Sequence, residues 1–360
     1  MDEGFDLTHP DLKDRVLGVK TNTEDSFESD SLGHGTHTLG IIGADGHSSG
    51  GQLRGLAPDA NLIALDVKLA QGKDFAESVR SVERGFQWVL ENKDAHNIKV
   101  VNCSFNLPTV EIPDPANPGI YSPVDPLGPV LEAVKEAGIL VVAAAGNFAD
   151  KAPIATPAGH PSVITVGALD TNRTPQDKSD DEVAKFSSRG RSITGEIKPD
   201  ILAPGVGIMA PSAKGSQPEQ QNKKNLKLQN LAETGSSEQI TKLTQTLIDK
   251  GRLPALASRF PHEKIRPILK RFFPVEPTLG QQGQSPAYIA HDGTSEAAPI
   301  VTGVIANMFE ANPNLTPEQV KGILFSTTTK VNGDPVAVGR GAVHAQKAIE
   351  AARLSANSAK

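Results

Sequence analysis

Short β-branched apolar runs alternate with amphipathic stretches over most of the chain. Asn61 to Val67, Ile98 to Cys103, Ile139 to Ala145 and Ser162 to Ala168 read as buried strands. From Asp74 as N-cap, Phe75, Val79, Val82, Phe86 and Val89/Leu90 recur at helical spacing. Leu127 to Ala137 forms a second such stretch, which Gly138 ends. Strand, helix, strand at this spacing predicts an α/β fold with a parallel sheet covered on both faces. Toward the C-terminus, Ser295 to Ala311 reads as a long buried helix. Thr316-Pro317-Glu318-Gln319 is a capping box opening another, and Ala342 to Arg353 reads as a third.

The texture changes between Ser212 and Pro286, where the sequence is Gln- and Lys-rich with few β-branched runs. Ser236–Ile248 and Lys264–Phe273 have helical character. Residues 212–286 therefore read as a basic, partly helical insertion into a domain made of 1–211 and 287–360. The segment carries twelve basic and six acidic residues, a net +6 that leaves −12 on the remainder of a chain whose formal charge is −6. The insertion is either a basic element lying against an acidic body or a solvated excursion.

The 360 residues, 38% of them hydrophobic, suffice to bury a large core. With 33 glycines and 27 prolines the chain has many tight loops between its elements, as an α/β enzyme does. The net negative charge argues against a general nucleic-acid partner. The single cysteine, Cys103, lies in an apolar run and reads as a core residue. The chain carries neither a run of about 18 apolar residues nor the basic-then-apolar pattern of a signal peptide, so no membrane span is expected.

His291-Asp292-Gly293-Thr294-Ser295-Glu296-Ala297-Ala298-Pro299 places a serine where a loop becomes a helix. Small neighbours there leave room for a substrate backbone, and the helix start offers unpaired N–H groups to a developing negative charge. A serine hydroxyl needs a base, and an imidazole needs a carboxylate to fix its tautomer and balance its charge. His34, in Gly33-His34-Gly35-Thr36-His37, and Asp2 are the candidates. The carboxamide of Asn147, in Ala145-Gly146-Asn147, and the backbone N–H of Ser295 would serve the oxyanion. A second chemistry is metal-dependent hydrolysis by Asp2, Asp6, His9, Asp11, His34 and His37. That reading has no use for Ser295 or Asn147.

The order Asp, His, Asn, Ser in these surroundings resembles the subtilisin-like serine proteases, the subtilases. His34-Gly35-Thr36-His37 and Gly293-Thr294-Ser295 match the family's motifs outright. Phe186-Ser187-Ser188, the run Lys198 to Gly205, and Gly339-Arg340-Gly341-Ala342-Val343 resemble framework segments. The resemblance implies a three-layer fold with a seven-stranded, mainly parallel sheet, and peptide-bond hydrolysis through an acyl-enzyme. It implies no required cofactor. Substrate would lie between Ser104-Phe105-Asn106 and Ala144-Ala145-Gly146, unless Phe105 is simply core. A member that binds peptide without cleaving it is the alternative.

Four departures from the family pattern matter. Glu296 stands where methionine is common, either solvated or placed against the forming oxyanion. Asn106 replaces a glycine. Asp11 matches a calcium ligand of some members, but Asp45 to Gln52 does not supply the rest of that site. Only Met1 precedes Asp2, where the family has an apolar central strand. The expectation is that a longer parent protein carries that strand, with a prosegment and an extracellular location.

Overall fold

The computed structural model describes every residue except 22–26, 28, 70–74, 109, 114–120, 175–176, 274–277, 280–286 and 359–360. All four predicted strands form. Strand β1 (Val16–Lys20) pairs in parallel with β2 (Leu62–Asp66). A second, parallel set comprises β3 (Val100–Cys103), β4 (Leu140–Ala144), β5 (Ile164–Asp170) and β6 (Ile201–Pro204), in spatial order β6-β5-β4-β3. A short antiparallel strand at 182–183 borders β5. β1 and β6 were not predicted, because one is interrupted by Gly18 and the other has only four residues ending in Pro204.

Side-chain alternation along β4 divides the core. Leu140, Val142 and Ala144 belong to one apolar cluster with Val301, Val304, Ile305 and Met308. Val141 and Ala143 face the other way, with Val82, Phe86, Leu131 and Val134. Helices α2 (Phe75–Asn92) and α3 (Gly128–Glu136) thus cover one face. α7 (Thr294–Ala311) and α9 (Ala345–Ser358) cover the other, completing the three layers. A strand buried on both faces contributes about 1.5–3 kcal/mol for each large apolar side chain, which is why these runs are continuously apolar. The proposed cap Asp74 lies outside the described residues. The Thr316 capping box forms, opening α8 (Pro317–Ser326). The last helix begins at Ala345 rather than Ala342, because Ala342 bridges Thr329 and Leu202 as extended backbone.

The implied seven-stranded sheet comes in two pieces, of two and five strands. Met1 and Asp2 lie between β2 and β3. The Met1 amine donates to Asn102 O at 3.0 Å, and Asp2 makes a single parallel bridge to Asp66. Beside Met1 a cavity of about 660 Å³ is lined by Leu62, Leu65, Val89, Val101 and Phe309 among others.

Residues 212–286 are more helical than predicted. In addition to α5 (Ser237–Asp249) and α6 (His262–Arg271) they contain α4 (Gln217–Thr234), capped by Ser216, which accepts from Glu219 N–H. Its sequence is so rich in Gln, Asn and Lys that no apolar stripe announced it. Ala232, Ile240, Leu243, Leu247, Ile265 and Leu269 form a core of their own. The segment grows from an antiparallel pair, β7 (Ile208–Pro211) and β8 (Tyr288–His291), in which Ile208 faces His291. Its root reaches the body through Lys214 N–H to Asp6 Oδ2 (2.9 Å) and Gln217 N–H to Ser31 O (2.8 Å).

Candidate active site

Helix α1 (His34–Gly43) presents His34 from its first turn. Gly33 enters it at φ +74°, a left-handed conformation suited to glycine. Buried Asp30 accepts from Gly33 N–H (2.7 Å), Thr36 N–H (2.9 Å) and the Thr36 hydroxyl (2.7 Å). Gly35 admits the Asp2 loop, since a Cβ there would lie 2.1 Å from Gly4 O. Asp2, 2% exposed, accepts from His34 Nδ1–H at 2.8 Å, Glu3 N–H at 2.9 Å and the Thr38 hydroxyl at 3.2 Å. That bond fixes the imidazole tautomer and leaves Nε2 as the free nitrogen. Burial opposes charge on His34, but the carboxylate of Asp2, with Glu296 and Asp30, outweighs it and raises the imidazole to about 9.

Ser295 opens α7 beside Asn147. Asn147 Oδ1 accepts from Thr294 N–H and from the Thr294 hydroxyl, both at 3.0 Å. Thr294 Oγ1 in turn accepts from Gly146 N–H at 3.0 Å. With its oxygen so held, the carboxamide presents its NH₂ as donor. The Ser295 hydroxyl donates to Ser104 O (2.9 Å), while the Ser104 hydroxyl donates to Ser295 O (2.8 Å). Asn102 Nδ2 donates to Ser104 Oγ at 2.9 Å, and through Ser104 the end of β3 is tied to the start of α7.

The two predicted substrate segments lie side by side. Asn106 Nδ2 donates to Ala144 O at 2.9 Å, so the glycine-to-asparagine departure places a carboxamide across the space between them. A Cβ on Gly146 would stand 3.1 Å from Asn106 Oδ1 and 3.0 Å from Ser188 Oγ. Phe105 is 8% exposed and belongs to the core. Ala144 and Ala145 are buried. Burial pushes the Cys103 thiol up to about 12, consistent with a core residue.

Of the six residues of the metal reading, Asp2 and His34 bind each other and the other four have separate protein partners. His9 Nε2 donates to Ala287 O, and His37 Nε2 to Ile289 O. Asp6 accepts from Thr8 and from Lys214 N–H. Asp11 accepts from Ser48 N–H on one oxygen and from the Tyr288 hydroxyl on the other. Among the described residues no group of three or more His, Cys, Asp or Glu is placed to hold a metal ion.

Glu296 is buried, at 3% exposure, which overturns the solvated reading. Its Oε1 lies 3.6 Å from His37 Nδ1. Burial raises its carboxyl to about 7 against the opposing pull of His34. Sequence reading missed the supporting residues Asp30, Thr38, Asn102 and Thr294 as such. For Thr294 alone there was a signal, its place inside the serine motif.

The Subtilase family profile matches residues 1–245 and 276–342. Serine protease AprX of Bacillus subtilis (strain 168) is 34% identical over 345 residues, covering 95% of this chain and 63% of that protein. Subtilisin E of the same organism is 32% identical over 213 residues, 58% of this chain and 46% of that protein. The chain thus spans less than two thirds of these relatives. In fold it is similar to fervidolysin from Fervidobacterium pennivorans, a keratinolytic enzyme related to subtilisin, with TM-score 0.61 and 24% identity over 97% of this chain and 41% of that one. It is also similar to sphericase, with TM-score 0.61 and 22% identity over 95% and 88% of the two chains. With the ordered motifs, the Asp2–His34 pair and a profile match over most of its length, this chain belongs to the subtilase family.

Proposed function

We propose that this chain is the catalytic domain of a serine endopeptidase, formed by 1–211 and 287–360, with 212–286 inserted in it. Ser295 Oγ attacks the carbonyl carbon of a peptide bond and passes its proton to His34 Nε2, while Asp2 stabilises the imidazolium. The oxyanion is met by Asn147 Nδ2–H and Ser295 N–H. The tetrahedral adduct collapses to an acyl-serine as His34 returns the proton to the leaving amine. Water, deprotonated by the same imidazole, then releases the acyl group. The observation that carries this reading is His34 Nδ1 bound to Asp2 at 2.8 Å, with the oxygen of the Asn147 carboxamide tied to the residue before Ser295.

Substrates are peptides or proteins, bound between 104–106 and 144–146 with Asn106 narrowing the space. Among the described residues no helix is long and apolar enough to cross a membrane. A second reading is peptide binding without cleavage, favoured by the bond from the Ser295 hydroxyl to Ser104 O, which must turn toward His34 for attack. Labelling with a fluorophosphonate probe decides between them. The protease reading expects covalent modification that Ser295→Ala abolishes. No modification at any pH leaves the binding reading, and equal labelling of Ser295→Ala defeats the nucleophile assignment.

A further inference from the structure

The carboxyl group of Glu296 is buried, and no step of the proposed mechanism uses it. Its Oε2 lies 2.4 Å from where a Cβ on Gly293 would stand, so it folds back beneath the residues leading to Ser295. His37 lies on one side of it, fully buried on α1. His37 Nε2–H donates to Ile289 O at 3.1 Å, and the Ile208 carbonyl also faces the ring. Burial, with the nearby His291 and His34 rings, drives His37 down to about 3, so the ring is neutral and its Nδ1 carries a lone pair. That atom is buried without a hydrogen-bond partner, and Glu296 Oε1 is 3.6 Å away. A protonated Glu296 carboxyl is the donor this lone pair lacks, whereas an ionised one sets two acceptors against each other.

His34 stands one turn before His37 on α1, and its imidazolium favours the carboxylate form of Glu296. The remaining charged groups facing this carboxyl are Asp2 on the N-terminal loop and Asp292 before α7, both of which disfavour a second anion. His291 on β8 stacks obliquely on His37, with ring centroids 4.6 Å apart, and Asp30 adds to the negative field at His34.

We propose that Glu296 is a positioning residue that sets the pH at which His34 becomes a base, shared between His37, which favours its neutral acid, and His34, which favours its carboxylate. The inference rests on His34 being the general base. As pH rises through neutrality, Glu296 releases its proton to solvent, and the resulting carboxylate delays loss of the His34 imidazolium proton. Acylation is therefore displaced to alkaline pH.

The test compares the pH dependence of fluorophosphonate labelling in the natural chain and in Glu296→Gln, which keeps an N–H donor for His37 but cannot ionise. The expected result is that the rising limb of Glu296→Gln has its half-point about one pH unit lower. Relative to its own plateau, labelling at pH 7 is then about tenfold faster. Glu296→Met should show the same displacement. Coincident half-points in the natural chain and Glu296→Gln overturn the proposal. The ¹⁵N titration of His34 in Ser295→Ala, with and without Glu296→Gln, decides the matter without activity. A lower midpoint with Gln supports the proposal, and an unchanged midpoint overturns it. Absence of labelling in every variant would count against the protease reading alone, since this titration still judges Glu296.

Discussion

Thr294 grips the carboxamide oxygen of Asn147 with two hydrogen bonds, from its N–H and its hydroxyl, both at 3.0 Å. The residue before Ser295, the proposed nucleophile, therefore orients the carboxamide proposed as oxyanion donor. Thr294→Val keeps the N–H bond but loses the hydroxyl, and should lower kcat for a peptide substrate about tenfold with little change in KM, the size of one net hydrogen bond. Asn147→Ala should cost about 100- to 1,000-fold, the size established for the same donor in subtilisin. Equal kcat in Thr294→Val and Thr294→Ser would show that the hydroxyl does not matter.

Asp30 should make stability depend on pH in the acid range. Burial outweighs the hydrogen bonds from Thr36 and Gly33 and raises its carboxyl from 3.8 to about 6. The folded chain then holds this proton more tightly than the unfolded one. The stabilisation is present below the unfolded value and is lost as pH rises through about 6. Relative to Asp30→Asn, the natural chain should lose on the order of 3 kcal/mol between pH 4 and pH 7. Urea denaturation at intervals across that range measures it, and parallel curves for the two proteins would refute it.

The helical segment should be separable from the catalytic body. Pro211 pairs with Tyr288, and α4 to α6 have their own apolar cluster, so a short Gly/Ser linker in place of residues 216–283 can close the hairpin. The shortened protein should stay soluble and label at Ser295. It should melt a few degrees lower, because the Gln217–Ser31 contact near His34 is lost. Faster cleavage of large protein substrates, with small peptides unaffected, would show that the segment restricts access. Insoluble protein would show that it is part of the fold.

The strands at 62–66, 100–103, 140–144 and 164–170 were legible because a strand buried on both faces must be continuously apolar. The order of Asp2, His34, Asn147 and Ser295 was legible because the chemistry restricts residue type and close packing restricts the small neighbours. Helix α4 was not, since its buried contacts include Asn222 and Asn225 and its stripe is faint. Nor were Asp30 and Thr294, whose roles depend on which backbone N–H or carboxamide lies within 3.0 Å.

By itself the sequence determined the α/β class, the family and the candidates for the reacting groups, because these follow from residue type, spacing and order. Only the tertiary structure decided that Glu296 is buried beside His37, that Asn106 reaches across to Ala144 between the two proposed substrate segments and that Asp11 serves Ser48 and Tyr288. The environment of a charge or an amide is set by chain segments distant in sequence, and its protonation and partners follow from that environment.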